Sequence, residues 1–178
     1  MTRRGAVAAG AALAVVLACV SLLPRRPTPL TCPSGAARVD VALPSGPASW
    51  CQRPARDGLP HREGPFVAWY PDGRRKIEGA YRDGVADGAW TYWSPDGRKR
   101  EAGQYRNGRE EGPWVRWHTT GALAEAGVYR DGRREGRWTF WFANGEKARA
   151  AEYQADASVG IWRRWNLRGD PCPAPVDT

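Results

Sequence analysis

A period of 24 residues, carried by tryptophan, glycine and tyrosine together, fixes most of what this chain can fold into. Trp90, Trp114, Trp138 and Trp162 recur at that spacing, and so do Trp69, Trp93, Trp117, Trp141 and Trp165. Gly64, Gly88, Gly112, Gly136 and Gly160 form a third series, and Tyr81, Tyr105, Tyr129 and Tyr153 a fourth. Gly73, Gly97, Gly121, Gly145 and Gly169 form a fifth, and Phe66 stands in the first tryptophan slot of the first copy. The unit reads G-x-W-x-x-W-x-x-x-G, then five variable positions, then G-x-Y-x-x-G and three more. Full copies run without a gap from 64 to 159, and a partial copy starts at 160. A period in this range marks one supersecondary unit stacked on itself, because a single unit cannot bury its own apolar face.

Each unit holds two short aromatic, β-compatible segments, such as Trp90 to Trp93 and Lys99 to Tyr105. A glycine turn follows each segment. The first turns include Pro71-Asp72-Gly73 and Pro95-Asp96-Gly97; the second include Arg82-Asp83-Gly84 and Arg106-Asn107-Gly108. Asp-Gly and Asn-Gly are strong hairpin signals, since the turn needs positive φ that glycine adopts at no steric cost. The fold expected is therefore all-β: an elongated meander of antiparallel β-hairpins, five copies with the last partial. That gives roughly nine short strands, and one hairpin alone would be marginal in water. At about 4.8 Å per strand the array would extend about 40–45 Å. The composition agrees: the 178 residues include 10 Trp, 21 Gly and 15 Pro against one Met, which disfavours long helices.

Two details stay open at this level. The two tryptophans of a unit are three apart, so either the strand is kinked or bulged, or both faces of the sheet carry aromatics. The glycine two residues before the first tryptophan offers room for a neighbouring ring. The last full copy decays, with Ala151 in place of the mid-repeat glycine and Asp156 in place of the second-turn glycine, as expected of a terminal cap.

Ahead of the repeats lies a leader. Arg3 and Arg4 precede an uncharged apolar run from Gly5 to Leu23, the pattern of a secretory signal. Residues 1–23 are read as a signal peptide or membrane-anchor helix, with three fates open. The run is just long enough to span a bilayer uncleaved. Val16-Leu17-Ala18-Cys19 resembles a lipobox, which would make Cys19 a lipidation site. Plain secretion is the third. Each fate exports the rest of the chain. Residues 24–31 form a short proline-containing linker, 32–63 a cysteine-containing N-terminal cap, 64–170 the repeat domain and 171–178 a tail. An exported chain permits disulfides. Cys32 and Cys51 bracket a Gly/Pro-rich stretch, and their pairing is predicted to add about 3 kcal/mol by closing a loop of about 20 residues. Cys172 is left over.

Charge does not point to nucleic acid. The net charge is +8, but Arg3, Arg4, Arg25 and Arg26 flank the leader, leaving 23 basic against 19 acidic residues. Acidic and basic residues alternate there, as in Arg109-Glu110-Glu111, whereas a nucleic-acid footprint is a clustered basic face. Catalysis is not indicated either. There are two histidines, His61 and His118, and no H-E-x-x-H, G-x-S-x-G or P-loop motif. No C-x-x-C occurs and no paired histidine lies near a cysteine, so neither a metal site nor a small-molecule cofactor is expected. Arg168-Gly169-Asp170 spells an adhesion tripeptide, but its glycine fills the regular turn slot.

The series carried by Gly88, Trp90, Trp93, Gly97, Tyr105 and Gly108 resembles the MORN-repeat family, specifically the bacterial MORN-variant repeats often labelled antitoxin-like. The resemblance covers residues 64–170. The Cys-Pro-x-Gly … Trp-Cys segment ahead of it is similar to exported, repeat-bearing proteins of myxobacteria. It implies a single-layer β-hairpin array acting as a binding or scaffolding module, and in eukaryotic relatives a link to membranes and lipid headgroups.

The function expected is thus non-catalytic: an envelope-tethered module for an unknown envelope protein or glycan, using Trp93, Trp117, Trp141 and Trp165 with Arg116 and Arg164 as its surface. Stacking and arginine hydrogen bonding would supply recognition. Anionic-lipid binding at the membrane surface is the alternative. The first tryptophans (Trp90, Trp114, Trp138, Trp162) and the series from Gly64 to Gly160 are assigned to structure.

Overall fold

The computed structural model describes residues 30–54 and 58–173. The leader, with Cys19, lies outside them. The described chain is all-β, and no helix occurs in it. Twelve strands form one antiparallel sheet. They are β1 (Ala37–Leu43), β2 (Gly46–Pro54), β3 (Pro60–Trp69), β4 (Arg75–Arg82), β5 (Val85–Ala86), β6 (Gly88–Trp93), β7 (Lys99–Arg106), β8 (Arg109–Trp117), β9 (Leu123–Arg130), β10 (Arg133–Trp141), β11 (Lys147–Gln154) and β12 (Ala157–Arg164). Each strand pairs with its sequence neighbour, except that the two-residue β5 pairs only with β4 while β6 carries the path onward.

This is the expected meander, longer by two strands at its N-terminal end. Residues 37–54 do not cap the array with a separate unit; they extend the same sheet, and β3 runs through the boundary between the cap and the first repeat. A Cys32–Cys51 disulfide ties the segment before β1 to β2, and Cys172 is free and exposed.

The second turns are two-residue loops with both central residues at positive φ: Asp83 and Gly84 at 48° and 82°, Asn107 and Gly108 at 51° and 79°. That is the turn whose twist matches antiparallel strands. In the decayed copy Ala155 and Asp156 adopt the same shape at 49° and 72°, a conformation that costs a β-carbon residue about 1–2 kcal/mol. The first turns close differently. In each, the glycine N–H donates to the residue three back, as Gly97 does to Ser94 at 2.9 Å.

The Gly64–Gly160 series serves neither turn. Each member sits at positive φ between 66° and 90°, at a point where one strand gains two residues on its neighbour. Between Glu135 and Thr139, for example, β10 bulges against β9 around Gly136. The same bulge, around Gly88, separates β5 from β6. The series therefore makes bulges, and the expectation that it makes room for rings is corrected. A β-carbon on Gly88, Gly112, Gly136 or Gly160 would meet nothing within 4 Å.

Room for rings comes instead from the mid-repeat glycines. Gly79, Gly103 and Gly127 lie flat beneath Trp90, Trp114 and Trp138, and a β-carbon at any of them would overlap the indole. Around these seats the rings form one edge-to-face ladder. It runs Phe66, Tyr81, Trp90, Tyr105, Trp114, Tyr129, Trp138 and Tyr153, with successive centroids 4.9–6.4 Å apart. Each such contact adds about 0.5–1.5 kcal/mol beyond area burial. Trp114 and Trp138 are 1% and 0% exposed, so the core of the sheet is this ladder. Trp162 is 39% exposed, and its seat carries Ala151 instead of glycine.

Two glycine substitutions separate these roles. Gly103→Ala should cost about 3 kcal/mol, the upper range for overpacking a filled core. Gly112→Ala should cost about 1–2 kcal/mol, from backbone strain alone. Urea midpoints of the two variants measure the difference, and equal losses would refute the assignment.

Candidate functional site

The second tryptophan of each unit defines the surface to be tested. Trp90 and Tyr92 share the ladder face, their rings stacked with centroids 6.2 Å apart. β6 is continuous from Gly88 to Trp93, so alternation puts Trp93 on the opposite face. The same parity separates Trp141 from Trp138 and Phe140, and Trp117 from Trp114. Alternation thus gives both faces aromatics, and the strand pairing is also irregular beside each of these tryptophans. Trp69, Trp93, Trp117, Trp141 and Trp165 are all half-buried. Thr91 and Val115, on the same face by parity, are 8% and 4% exposed.

Each of these tryptophans meets the next strand at a register shift, where it faces a fixed slot. Trp69 faces Arg75, Trp93 Lys99, Trp117 Leu123 and Trp141 Lys147. The register partner is basic in three of these four pairs, and Arg75 among them is ion-paired with Glu78 at 2.8 Å. Burial pushes the Lys99 ammonium below its ordinary value. The Lys147 ammonium stands 5.9 Å from the Trp165 ring centre.

The loops after these tryptophans are joined from repeat to repeat. The Tyr70 hydroxyl donates to the Trp93 carbonyl at 2.7 Å, and His118 Nε2 lies 2.8 Å from the Trp141 carbonyl. Arg74 and Arg98 donate to the carbonyls of Pro95 and Thr119 at 2.7 and 3.0 Å. The slot filled by Tyr70, Ser94, His118 and Phe142 thus links neighbouring copies in two cases.

Arg116 does not belong with Trp117. It lies on the ladder face beside Trp114, where Glu101 accepts from both: from Trp114 Nε1 at 2.7 Å and Arg116 Nε at 2.9 Å. Glu125 takes the other end of the guanidinium, and Arg134 reaches Glu125 at 3.5 Å. The Arg116 pKa is raised: burial opposes the charge, but the two carboxylates outweigh it. Arg164 is exposed and pairs in register with Arg149, whose guanidinium lies over Phe140 and Trp162 at 4.2 and 4.9 Å. By parity it too faces away from Trp165. The expected surface therefore divides in two, with tryptophans and lysines on one face and Arg116 and Arg164 on the other.

Sequence reasoning missed one repeated group. The acidic residue before each of the first four bulge glycines accepts the N–H of the first residue of the next second turn. Glu63 accepts from Asp83 at 2.8 Å, Glu111 from Asp131 at 3.0 Å and Glu135 from Ala155 at 3.1 Å. The signal was visible as Glu63, Asp87, Glu111 and Glu135, the same period as the rest.

No family model and no curated protein matches this sequence.

On the ladder face, burial pushes the Tyr92 phenol far above its ordinary range, helped by the hydrogen bond it donates to Tyr105. Burial also raises Tyr105. A phenol raised in the folded state stabilises it fully below the unfolded value of about 10, and that stability is lost as pH rises beyond it. The urea midpoint should hold up to about pH 9 and fall steeply by about pH 11. In the Tyr92→Phe, Tyr105→Phe double variant the fall should be shallower.

Proposed function

We propose that this chain is a non-catalytic, exported and envelope-tethered module of the MORN-repeat type. It engages an extended protein segment along the face that carries Trp93, Trp117, Trp141 and Trp165. The observation that carries this reading is the row of half-buried tryptophans, one per repeat, with lysine or arginine beside most of them. Half-buried rings next to cations can stack on apolar groups and attract carboxylates.

The row also favours a partner conformation. One ring every two strands places rings about 10 Å apart. A polyproline II helix repeats every three residues at about 3.1 Å each, or about 9 Å, and presents its side chains without internal hydrogen bonds. Aromatic-lined surfaces recognise such segments in other settings. A proline-rich segment with acidic residues fits both the period and the cations. His118 supports a non-catalytic reading, because its Nε2 is engaged by the Trp141 carbonyl. The ion pairs of Arg75, Arg82, Arg98, Arg106, Arg116 and Arg134 with carboxylates favour a protein partner over an anionic lipid surface.

Photo-crosslinking in the native host tests this. Probes at Leu123 and Lys147, in the tryptophan-bearing pairs, should capture one dominant protein. A probe at Arg116 should not. Trp117→Ala with Trp141→Ala should abolish capture while the circular dichroism spectrum of the sheet is retained. Equal capture from both faces, or capture that survives both substitutions, would overturn the reading.

A further inference from the structure

We propose that His61, Glu63 and Asp83 form a binding site for a divalent transition ion of the zinc class, at the junction of the N-terminal extension and the first repeat. His61 and Glu63 are two apart on β3 and so share a face. Asp83 opens the turn between β4 and β5, and that turn is held against β3. Gly84 N–H donates to the Arg62 carbonyl at 3.0 Å, and Asp83 N–H to Glu63 Oε2 at 2.8 Å. One ligand atom from each of the three side chains lies within 4.8 Å of the other two.

The repeat supplies an independent comparison. Two repeats along, the same slots hold Arg109, Glu111 and Asp131. Asp131 N–H again donates to the glutamate, at 3.0 Å, and Arg109 Nη1 lies 4.0 Å from Asp131 Oδ1. There a guanidinium supplies the positive charge beside the two carboxylates. In the intervening copy the slots hold Val85, Asp87 and Asn107, with only one carboxylate. The first copy keeps both carboxylates and replaces the guanidinium with imidazole. Imidazole differs in offering a lone pair, which arginine cannot.

One nitrogen and two carboxylate oxygens are a zinc donor set, leaving a fourth position open to water or to a ligand from outside. Tetrahedral ligation at about 2.0–2.2 Å requires the donor atoms to close to about 3.4 Å from one another. Asp83 is exposed and Glu63 half-buried, so their side chains can make that movement while the turn stays docked. Nearby cations point elsewhere. Arg53, opposite His61 in register, donates to the Ser34 carbonyl at 2.9 Å, and Arg62 extends over Trp50, Phe66 and Tyr81 on the ladder face.

The test uses the full chain in detergent, with Cys19→Ser and Cys172→Ser to remove the cysteines outside the disulfide. Zn²⁺ is titrated calorimetrically, and Co²⁺ by its visible absorption. One ion per chain should bind, and the Co²⁺ spectrum should show tetrahedral nitrogen–oxygen ligation. His61→Arg, which copies the Arg109 arrangement, and Asp83→Asn, which copies Asn107, should each weaken binding by about tenfold or more, the scale on which metal sites respond to lost partners. Both substitutions borrow residues that the same slots already carry, so circular dichroism should be unchanged. Absence of saturable one-to-one binding would overturn the proposal, and so would binding of equal strength in both variants.

Discussion

An indole lying flat on a glycine is the contact on which this structure depends. Trp90, Trp114 and Trp138 each cover the mid-repeat glycine of the preceding strand so closely that no β-carbon fits. Each of those strands also supplies the tyrosine that meets the indole edge-on. One contact therefore sets the strand order, the register and the ring ladder together. A single sheet has no second layer to bury it, and the ladder supplies burial along the sheet instead. This is how Trp138 reaches complete burial in a fold with one layer.

Stability in such an array is close to a sum of nearest-neighbour terms, so the ends differ from the middle. At the C-terminal end Ala151 and the strained Ala155-Asp156 turn both depart from the unit, and Trp162 is the first-series tryptophan left partly exposed. The chain then folds back, with Trp165 bridged to Pro171 and Cys172 N–H donating to the Arg164 carbonyl at 2.8 Å. At the other end β1 and β2 continue the sheet, and the disulfide closes a 19-residue separation that the repeat pattern does not reach. The bulge glycines have a separate task. Each lets one strand gain two residues, and the first four bring the acidic residue before them to the next turn. The second turns are thereby linked between copies, and the first turns are linked separately by bonds such as Tyr70 to the Trp93 carbonyl and Asn144 to the Leu167 carbonyl.

Much of this was legible in the residues. The period gave the hairpins, the Asp-Gly and Asn-Gly pairs gave the second turns, and Cys32 with Cys51 gave the disulfide. What was misread was the division of labour among glycines. Gly88 and Gly103 recur equally well, and periodicity alone does not separate a glycine needed for φ from one needed for space. Their neighbours do separate them: Gly88 follows an acidic residue, as a bulge linked to a turn requires, and Gly103 stands two residues before a ladder tyrosine. The binding surface was misdrawn for a simpler reason. Arg116 and Trp117 are adjacent in sequence, and adjacent residues of a strand face opposite sides. The grouping of His61, Glu63 and Asp83 was not legible, because it depends on a hairpin turn docking onto a strand some 20 residues earlier.

The ladder face and the tryptophan face thus do different things: the first holds the copies together, and the second repeats a half-buried ring along the sheet. The division rests on the glycine seats, and hydrogen–deuterium exchange tests them most directly. Backbone amides of β7 to β10, around Gly103 and Gly127, should be the slowest to exchange. Protection should fall toward β12, beyond the seat that Ala151 fills. Equal protection of β8 and β12 would contradict the account, because it would mean that the indole–glycine contact is not what holds the strands together.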